Sequence, residues 1–471
     1  ARGNVSVVNH VDRRSFLLLA AATTGGFIGL HRAAGANGLS FSNAEEGYGR
    51  LIPDPAGILD LPEGFSHRII SRWGEEMDDG LLVPHEHDGM AAFDGGPGRT
   101  ILVRNHEIGV DSDLGYGAFG PNLERLGLVD RSKFFDPGSG DRPVLGGTTT
   151  IVYNQKSGAV ERHFLSLAGT GRNCAGGPTP WKSWITCEEW TQLADESCAM
   201  DHGWCFEVPA TDQIGLAEPR PLRGLGRFHH EAIAVAPDGR CVYLTEDRND
   251  GLLYRFVPDR PGRLAEGGRL QALAVQGRPS LDLRNWIDPA TETPIVQSAA
   301  RLPVAWIDLD ETDSPKDDLR FRGFEAGAAR FARGEGMWTG RDEILFACTT
   351  GGVARIGQIW KYRPSPSEGL DGEADAPGTL ELSIEATEGG IIENADNLTI
   401  APWGDLFVCE DGPPGNGLVR ISPDGAVSRF AMNRVSGSEL AGACFSPDGR
   451  TLFVNIQHQG LTVAIDGPWK V

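Results

Sequence analysis

Six times along the chain, a polar residue leads into a short apolar run, a turn rich in Pro, Gly or Asp, a second apolar run and further polar residues. The clearest copy starts at His230-Glu231, runs through 232–235, turns at Pro237-Asp238-Gly239, returns along 241–245 and closes on Glu246-Asp247. Another starts at Asp396-Asn397, runs through 398–400, turns at Pro402-Trp403-Gly404, returns along 406–409 and closes on Glu410-Asp411. The others lead with Asp88, Cys174, Glu335 and Glu439, and close on Asn105-His106-Glu107, Glu188-Glu189, Thr349-Thr350, and Asn455 with Gln457. Two short apolar runs around a tight turn predict a β-hairpin. From leading to closing residue the spacing is 15 positions for Cys174, Glu335 and Asp396 and 16 for Glu231, a constancy that unrelated loops do not keep.

Hairpins repeated at uneven intervals predict an all-β fold, a six-bladed β-propeller with loop and short helical insertions between the blades. The innermost strand of each propeller blade faces the axis, so Asp88, Cys174, Glu231, Glu335, Asp396 and Glu439 are expected to form a ring. The insertions are 108–141, with a helical stretch at 122–128; 259–330, with Trp286, Trp306 and an acidic run at 308–318; and the solvated loop 364–377. None has the composition of a separate domain, so 37–471 is expected to be one propeller.

Composition adds an address and a charge. The segment Asp12-Arg13-Arg14-Ser15-Phe16-Leu17-Leu18 precedes an uncharged run at 16–30 and a cleavable Ala34-Gly35-Ala36. That pattern predicts a twin-arginine signal peptide over 1–36, because so short an apolar run does not cross a bilayer. Its removal takes Arg2, Arg13, Arg14, Arg32 and Asp12, leaving 39 basic and 64 acidic residues and a net charge of −25. So acidic a surface excludes nucleic acid and anionic membranes as partners. The mature chain is expected to be periplasmic or secreted, exported folded by the twin-arginine machinery, monomeric and without a membrane span. Of the eight cysteines, Cys187, Cys348 and Cys409 lie in apolar runs and read as buried free thiols, while Cys198 and Cys205 are the disulfide candidates.

Five carboxylates and a thiol converging on one axis require cations between them. Oxygen donors favour Ca²⁺, and a thiolate among them favours a softer ion such as iron or zinc. His106 and His230 stand beside acids rather than in a zinc-hydrolase spacing, and no Gly-x-Ser-x-Gly elbow or Walker loop is present. Arg333, two residues before Glu335, is placed to bind an anion.

Several of these segments carry a resemblance. Asn173-Cys174-Ala175-Gly176-Gly177, Thr179-Pro180-Trp181, Cys187-Glu188-Glu189, Arg227-Phe228-His229-His230-Glu231, Ala332-Arg333-Gly334-Glu335-Gly336, Asp396-Asn397-Leu398 and Gly467-Pro468-Trp469 together resemble the PhoX family of exported alkaline phosphatases, from about Leu61 to the end. The resemblance implies hydrolysis of phosphate monoesters at an axial cluster of two ferric and three calcium ions, with a metal-activated oxygen as nucleophile. It implies that Cys174, Glu231 and Glu335 are iron or bridging ligands and that Arg333 holds the phosphate. Glu189, Asp247, Asp396 and Asp411 become calcium or shared ligands, with Asn397, Glu107, Glu188 and Glu439 as further metal-site residues. Two other readings stay open: a calcium-dependent lactonase or phosphotriesterase, and a metal-binding propeller without catalysis.

Overall fold

The computed structural model describes residues 47–140, 142–287, 293–412 and 416–470; the segment read as an export signal lies outside them. Among the described residues, no helix is long and apolar enough to cross a membrane.

The described strands fall into five sheets in which every strand pairing is antiparallel and most join consecutive strands. The first holds His87–Asp94, Arg99–His106, Gly146–Asn154 and Ala159–Thr170 in order. A smaller one holds Asn173–Pro178, Ser183–Glu188 and Cys205–Pro209. Two further meanders begin at His230–Val235 and Gly334–Thr339, and they share one ten-stranded sheet. They join because Arg301–Asp308, from the long insertion, pairs with Gly268–Val275 on one side and Thr379–Glu385 on the other. Separate hairpin units therefore need this correction: a bridging outer strand fuses two of them.

The last two sheets begin at Ala395–Ile400 and Leu440–Phe445. The N-terminal part of the chain completes both. Leu59–Pro62 pairs with Val427–Asn433, and Ser66–Arg72 pairs along Leu461–Asp466. Pairing early strands with late ones removes open edges and holds the ring shut through backbone hydrogen bonds.

The leading strands pack side by side in chain order, His87–Asp94 against Asn173–Pro178 and onward until Leu440–Phe445 returns to His87–Asp94. The arrangement is that of a β-propeller. His230–Val235 and Leu440–Phe445 are buried throughout, which explains why their sequences read as continuous apolar runs rather than alternating ones. Large side chains fill the wedges between sheets, including Tyr243, Trp360 and Tyr362 in one and Phe407, Phe430 and Trp469 in another. The helical stretch expected at 122–128 is a single 3₁₀ turn, Leu126–Leu128, and a short α-helix, Leu319–Glu325, lies in the long insertion.

All eight thiols are free and buried, which corrects the expected Cys198–Cys205 disulfide. Cys205 lies on a strand beside Cys187, with the sulfurs 3.7 Å apart, whereas Cys198 Sγ donates to the Leu193 carbonyl 3.5 Å away.

Every leading strand is interrupted at one place. Its register with the returning strand shifts after His87, Asn173, His230, Gly334, Ala395 and Ala441. Such a bulge re-aims a side chain. The residue it displaces is Asp88, Cys174, Glu231, Glu335, Asp396 or, in the last unit, Gly442. Glu439, expected to lead that unit, stands three positions earlier because its ladder continues through Leu440↔Ile456 and Ala441↔Asn455.

Gly442 is required by space as well as by conformation. Its φ is +60°, and a Cβ there would lie 2.4 Å from the Asp88 carbonyl oxygen and 2.8 Å from Asn455 Nδ2. Asn455 Nδ2 donates to that same carbonyl at 2.5 Å, stitching the last unit to the first. Gly442→Ala is therefore expected to lower the unfolding free energy by about 2–3 kcal/mol. A urea titration of metal-stripped protein checks this; an unchanged midpoint means the strands separate without cost.

Candidate metal centre

The bulges deliver Asp88, Cys174, Glu231, Glu335 and Asp396 to one cavity of about 180 Å³ at the centre of the ring. The residues immediately after the returning strands supply a second tier, Glu107, Glu189, Asp247 and Asp411. At this tier the fourth unit places Thr349, whose hydroxyl donates to Ala395 O at 2.8 Å, and the sixth places Ile456. Register thus makes Thr349, rather than Thr350, the counterpart of Glu189 and Asp247. Glu439 and Asn397 also line the cavity, and Asn397 Nδ2 donates to Asp396 Oδ1 at 3.1 Å.

Nine carboxylates meet here with one thiol and only two cationic side chains, Arg172 and Arg333. The consequence is electrostatic. Burial pushes the carboxyls of Asp88, Glu189, Glu231, Glu335 and Glu439 well above their usual range, and neighbouring acids push them further. Asp396, buried beside Asp411, is raised to about 6. Burial, then Glu231 and Glu189, raise the Cys174 thiol well above its ordinary value. Asp247 goes the other way: burial raises it, but two hydrogen bonds and the charge of Arg333 hold it low.

Arg333 is clamped by those bonds, with Nε 2.8 Å from Asp247 Oδ1, Nη2 3.1 Å from Asp247 Oδ2 and Nη2 2.6 Å from Glu335 Oε1. Glu335, then Asp247, raise its pKa further, so the guanidinium is always charged. Gln457 Nε2 donates to Asp88 Oδ2 at 3.1 Å and to Glu107 Oε2 at 2.8 Å.

The donor set suits cations. Three groups, Asp88–Glu107–Glu439, Glu231–Glu335–Asp396 and Asp396–Asp411–Glu439, each offer ligand atoms within 4.8 Å of one another. Oxygen donors dominate, as hard cations require, and Cys174 alone adds a soft one. Acids held this close either take up protons or hold metal ions.

Glu188 does not reach the cavity. Its fully buried carboxylate accepts from the backbone N–H groups of Gly171, Gly203 and Trp204 at 2.9–3.1 Å and from His202 Nδ1 at 2.6 Å. Pairing directly with Asn173 turns it to the opposite side of the strand from Glu189. Asp88, expected in the ring though not among the ligands that the resemblance implies, lines the cavity, and so does Arg172, which the sequence reading did not single out. Asp88 takes the same bulge position as Cys174, and Arg172 precedes Cys174 by two residues just as Arg333 precedes Glu335.

The chain matches the family model described as alkaline phosphatase PhoX over residues 46–133 and 140–460. It belongs to the PhoX alkaline phosphatase family. A similar solved structure is Pseudomonas fluorescens PhoX in complex with vanadate, a transition state analogue: 19% identical, TM-score 0.62, covering 87% of this chain and 96% of that one. A gluconolactonase from Xanthomonas campestris aligns at 13% identity and TM-score 0.40, covering 90% of this chain and 99% of that one. The calcium-binding protein regucalcin from Agrobacterium tumefaciens aligns at 14% identity and TM-score 0.37, covering 85% and 96%. No curated protein matches this PhoX chain in sequence.

Behind Glu188, His202 bridges two carboxylates, with Nε2 3.2 Å from Asp136 Oδ2. Burial lowers its pKa, but Glu188 and Asp136 outweigh that and hold it at about 9, against 6.5 unfolded. Its raised pKa makes the contribution complete below about pH 6.5 and removes it as pH climbs through about 9, on the order of 3 kcal/mol in all. Thermal midpoints of metal-stripped protein should fall over that window, and His202→Gln should flatten the fall; an equal slope in both proteins rejects the charged-imidazole account.

Proposed function

We propose that this protein is a metal-dependent phosphomonoesterase whose reaction takes place in the central cavity. The observation that carries the reading is the convergence of nine carboxylates, Cys174 and a clamped Arg333 on one small space. The ring of leading strands is read as six blades, two of them fused through their outer strands. Two iron and three calcium ions are the proposed cations. Cys174, Glu231 and Glu335 are proposed for iron or bridging positions. Glu189, Asp247, Asp396, Asp411, Glu107, Glu439, Asn397 and Asp88 are proposed for calcium or shared positions. Glu188 is left out, because its four hydrogen bonds occupy it elsewhere.

When bound, the cations supply positive charge beside the phosphoryl oxygens and acidify an oxygen nucleophile. The protein supplies position. Nε and Nη2 of Arg333 are committed to Asp247 and Glu335, which fixes the plane of the guanidinium. Nη1 then faces a phosphoryl oxygen without reorganisation and neutralises charge that grows during transfer. Cys174 contributes the one donor that an all-calcium cavity would not use. Passage to the periplasm or medium through the twin-arginine route, as a folded monomer, completes the reading.

Hydrolysis of p-nitrophenyl phosphate should vanish on chelation and return with iron and calcium together; no turnover with both metals present and confirmed by elemental analysis removes the assignment. Cys174→Ser should lose iron and visible absorption while the circular dichroism of the sheets stays unchanged, and full iron retention would take Cys174 out of the centre. Arg333→Ala should lower kcat/KM by roughly a hundredfold or more at unchanged metal content, and a wild-type value excludes its role.

A further inference from the structure

Arg172 repeats the geometry of Arg333 one side of the cavity away. Both have left-handed φ values, +47° and +50°. Both stand two residues before a bulge residue, Cys174 and Glu335. The carbonyl of each accepts the N–H of the residue that closes its own hairpin, Glu189 for Arg172 and Thr349 for Arg333, at 3.0 Å. A left-handed backbone is costly for a non-glycine residue. The same left-handed turn stands at Glu86 and Asn394, whose carbonyls accept the N–H of Glu107 and Asp411, so it belongs to the hairpins; in the second and fourth units it carries an arginine, which sets both guanidinium groups over the same tier of acids.

The side chains also repeat. Arg172 Nε is 3.2 Å from Glu107 Oε1, and its Nη2 is 2.6 Å from the same oxygen and 2.7 Å from Glu189 Oε2. Arg333 likewise uses Nε and Nη2 on two acids. Between the arginines, Glu189 and Asp247 are electrostatic neighbours, the charge of Asp247 helping to raise the Glu189 carboxyl, so the sequence in space is Arg172, Glu189, Asp247, Arg333. Among the described residues, Nη1 of neither arginine has a hydrogen-bond partner. Arg172 is 43% exposed and Arg333 31%, while both line the cavity, so each free nitrogen is within reach of an incoming solute.

We infer that Arg172 is a second phosphate-binding residue, holding the phosphoryl oxygens from the far end of the Glu189–Asp247 pair while Arg333 holds them from the near end. The inference rests on the phosphomonoesterase reading. A phosphate monoester carries up to two negative charges, and an acid-lined cavity repels it unless fixed cations flank its path. Each guanidinium is already paired with two acids, so what it offers the phosphoryl group is the directed Nη1–H donor, and two such donors in matched orientation fix the rotation that one leaves free. A role confined to neutralising Glu107 and Glu189 is the competing account, and it predicts no direct effect on phosphate.

Inorganic phosphate is the probe, read by calorimetry and as an inhibitor of p-nitrophenyl phosphate hydrolysis, with metal content measured on every sample. Arg172→Gln with full metals should bind phosphate about tenfold or more weakly and raise KM more than it lowers kcat. Unchanged phosphate affinity in that variant overturns the inference. If Arg172→Gln loses metal, Arg172→Lys decides: weakened phosphate binding at full metal content supports the inference, and wild-type affinity shows that Arg172 serves only its two acids. Failure of the metal-loaded wild type both to bind phosphate and to hydrolyse the ester overturns the phosphatase reading itself, whereas failure confined to the Arg172 variants leaves that reading standing.

Discussion

Like charge held together is the constraint on which this structure turns. Nine carboxylates share a cavity of about 180 Å³, and left to themselves they would drive the inner strands apart. Backbone pairing is what opposes them. Ser66–Arg72 locks onto Leu461–Asp466 and Leu59–Pro62 onto Val427–Asn433, so the ring cannot relax by opening at its seam. Bulges in every leading strand then aim the acids inward, and Gly442 leaves room for Asn455 to reach the first unit. The fold spends backbone order on maintaining an arrangement of charge that proton uptake or cations must complete.

The arrangement is uneven around the ring, and the unevenness has chemical meaning. Acids occupy the second tier in the first, second, third and fifth units, while Thr349 and Ile456 fill the fourth and sixth. Both arginines approach the tier that carries acids. Cys174 is the one soft donor, and its position among oxygen donors distinguishes a mixed cation centre from a purely calcium one.

Much of this was legible in the amino-acid sequence because hairpins announce themselves twice, once by apolar runs and once by turn residues. The leading residues Cys174, Glu231, Glu335 and Asp396 were readable from their near-constant distance to a closing polar residue, an acid in three of them and a threonine after Glu335. What periodicity does not report is where a bulge falls. Glu439 therefore looked like the counterpart of Cys174, although Gly442 holds that place. Glu188 and Glu189 are adjacent acids of the same type, yet pairing with Asn173 turns one into a hydrogen-bonded pocket and the bulge leaves the other facing the cavity. Arg172 lies beside Asn173-Cys174 and shares the two-residue offset of Arg333, a signal visible in sequence once that offset is compared between units. The fusion of two units through Arg301–Asp308 depended on pairing across a long insertion, which no local pattern specifies.

Anomalous scattering from crystals of the purified protein, recorded on both sides of the iron absorption edge, tests the shared cation cavity most directly. The account predicts iron beside Cys174, Glu231 and Glu335, and edge-independent calcium peaks near Asp88, Glu107, Glu439 and Asp411. Catalytically active protein with no heavy scatterer among these residues would contradict it.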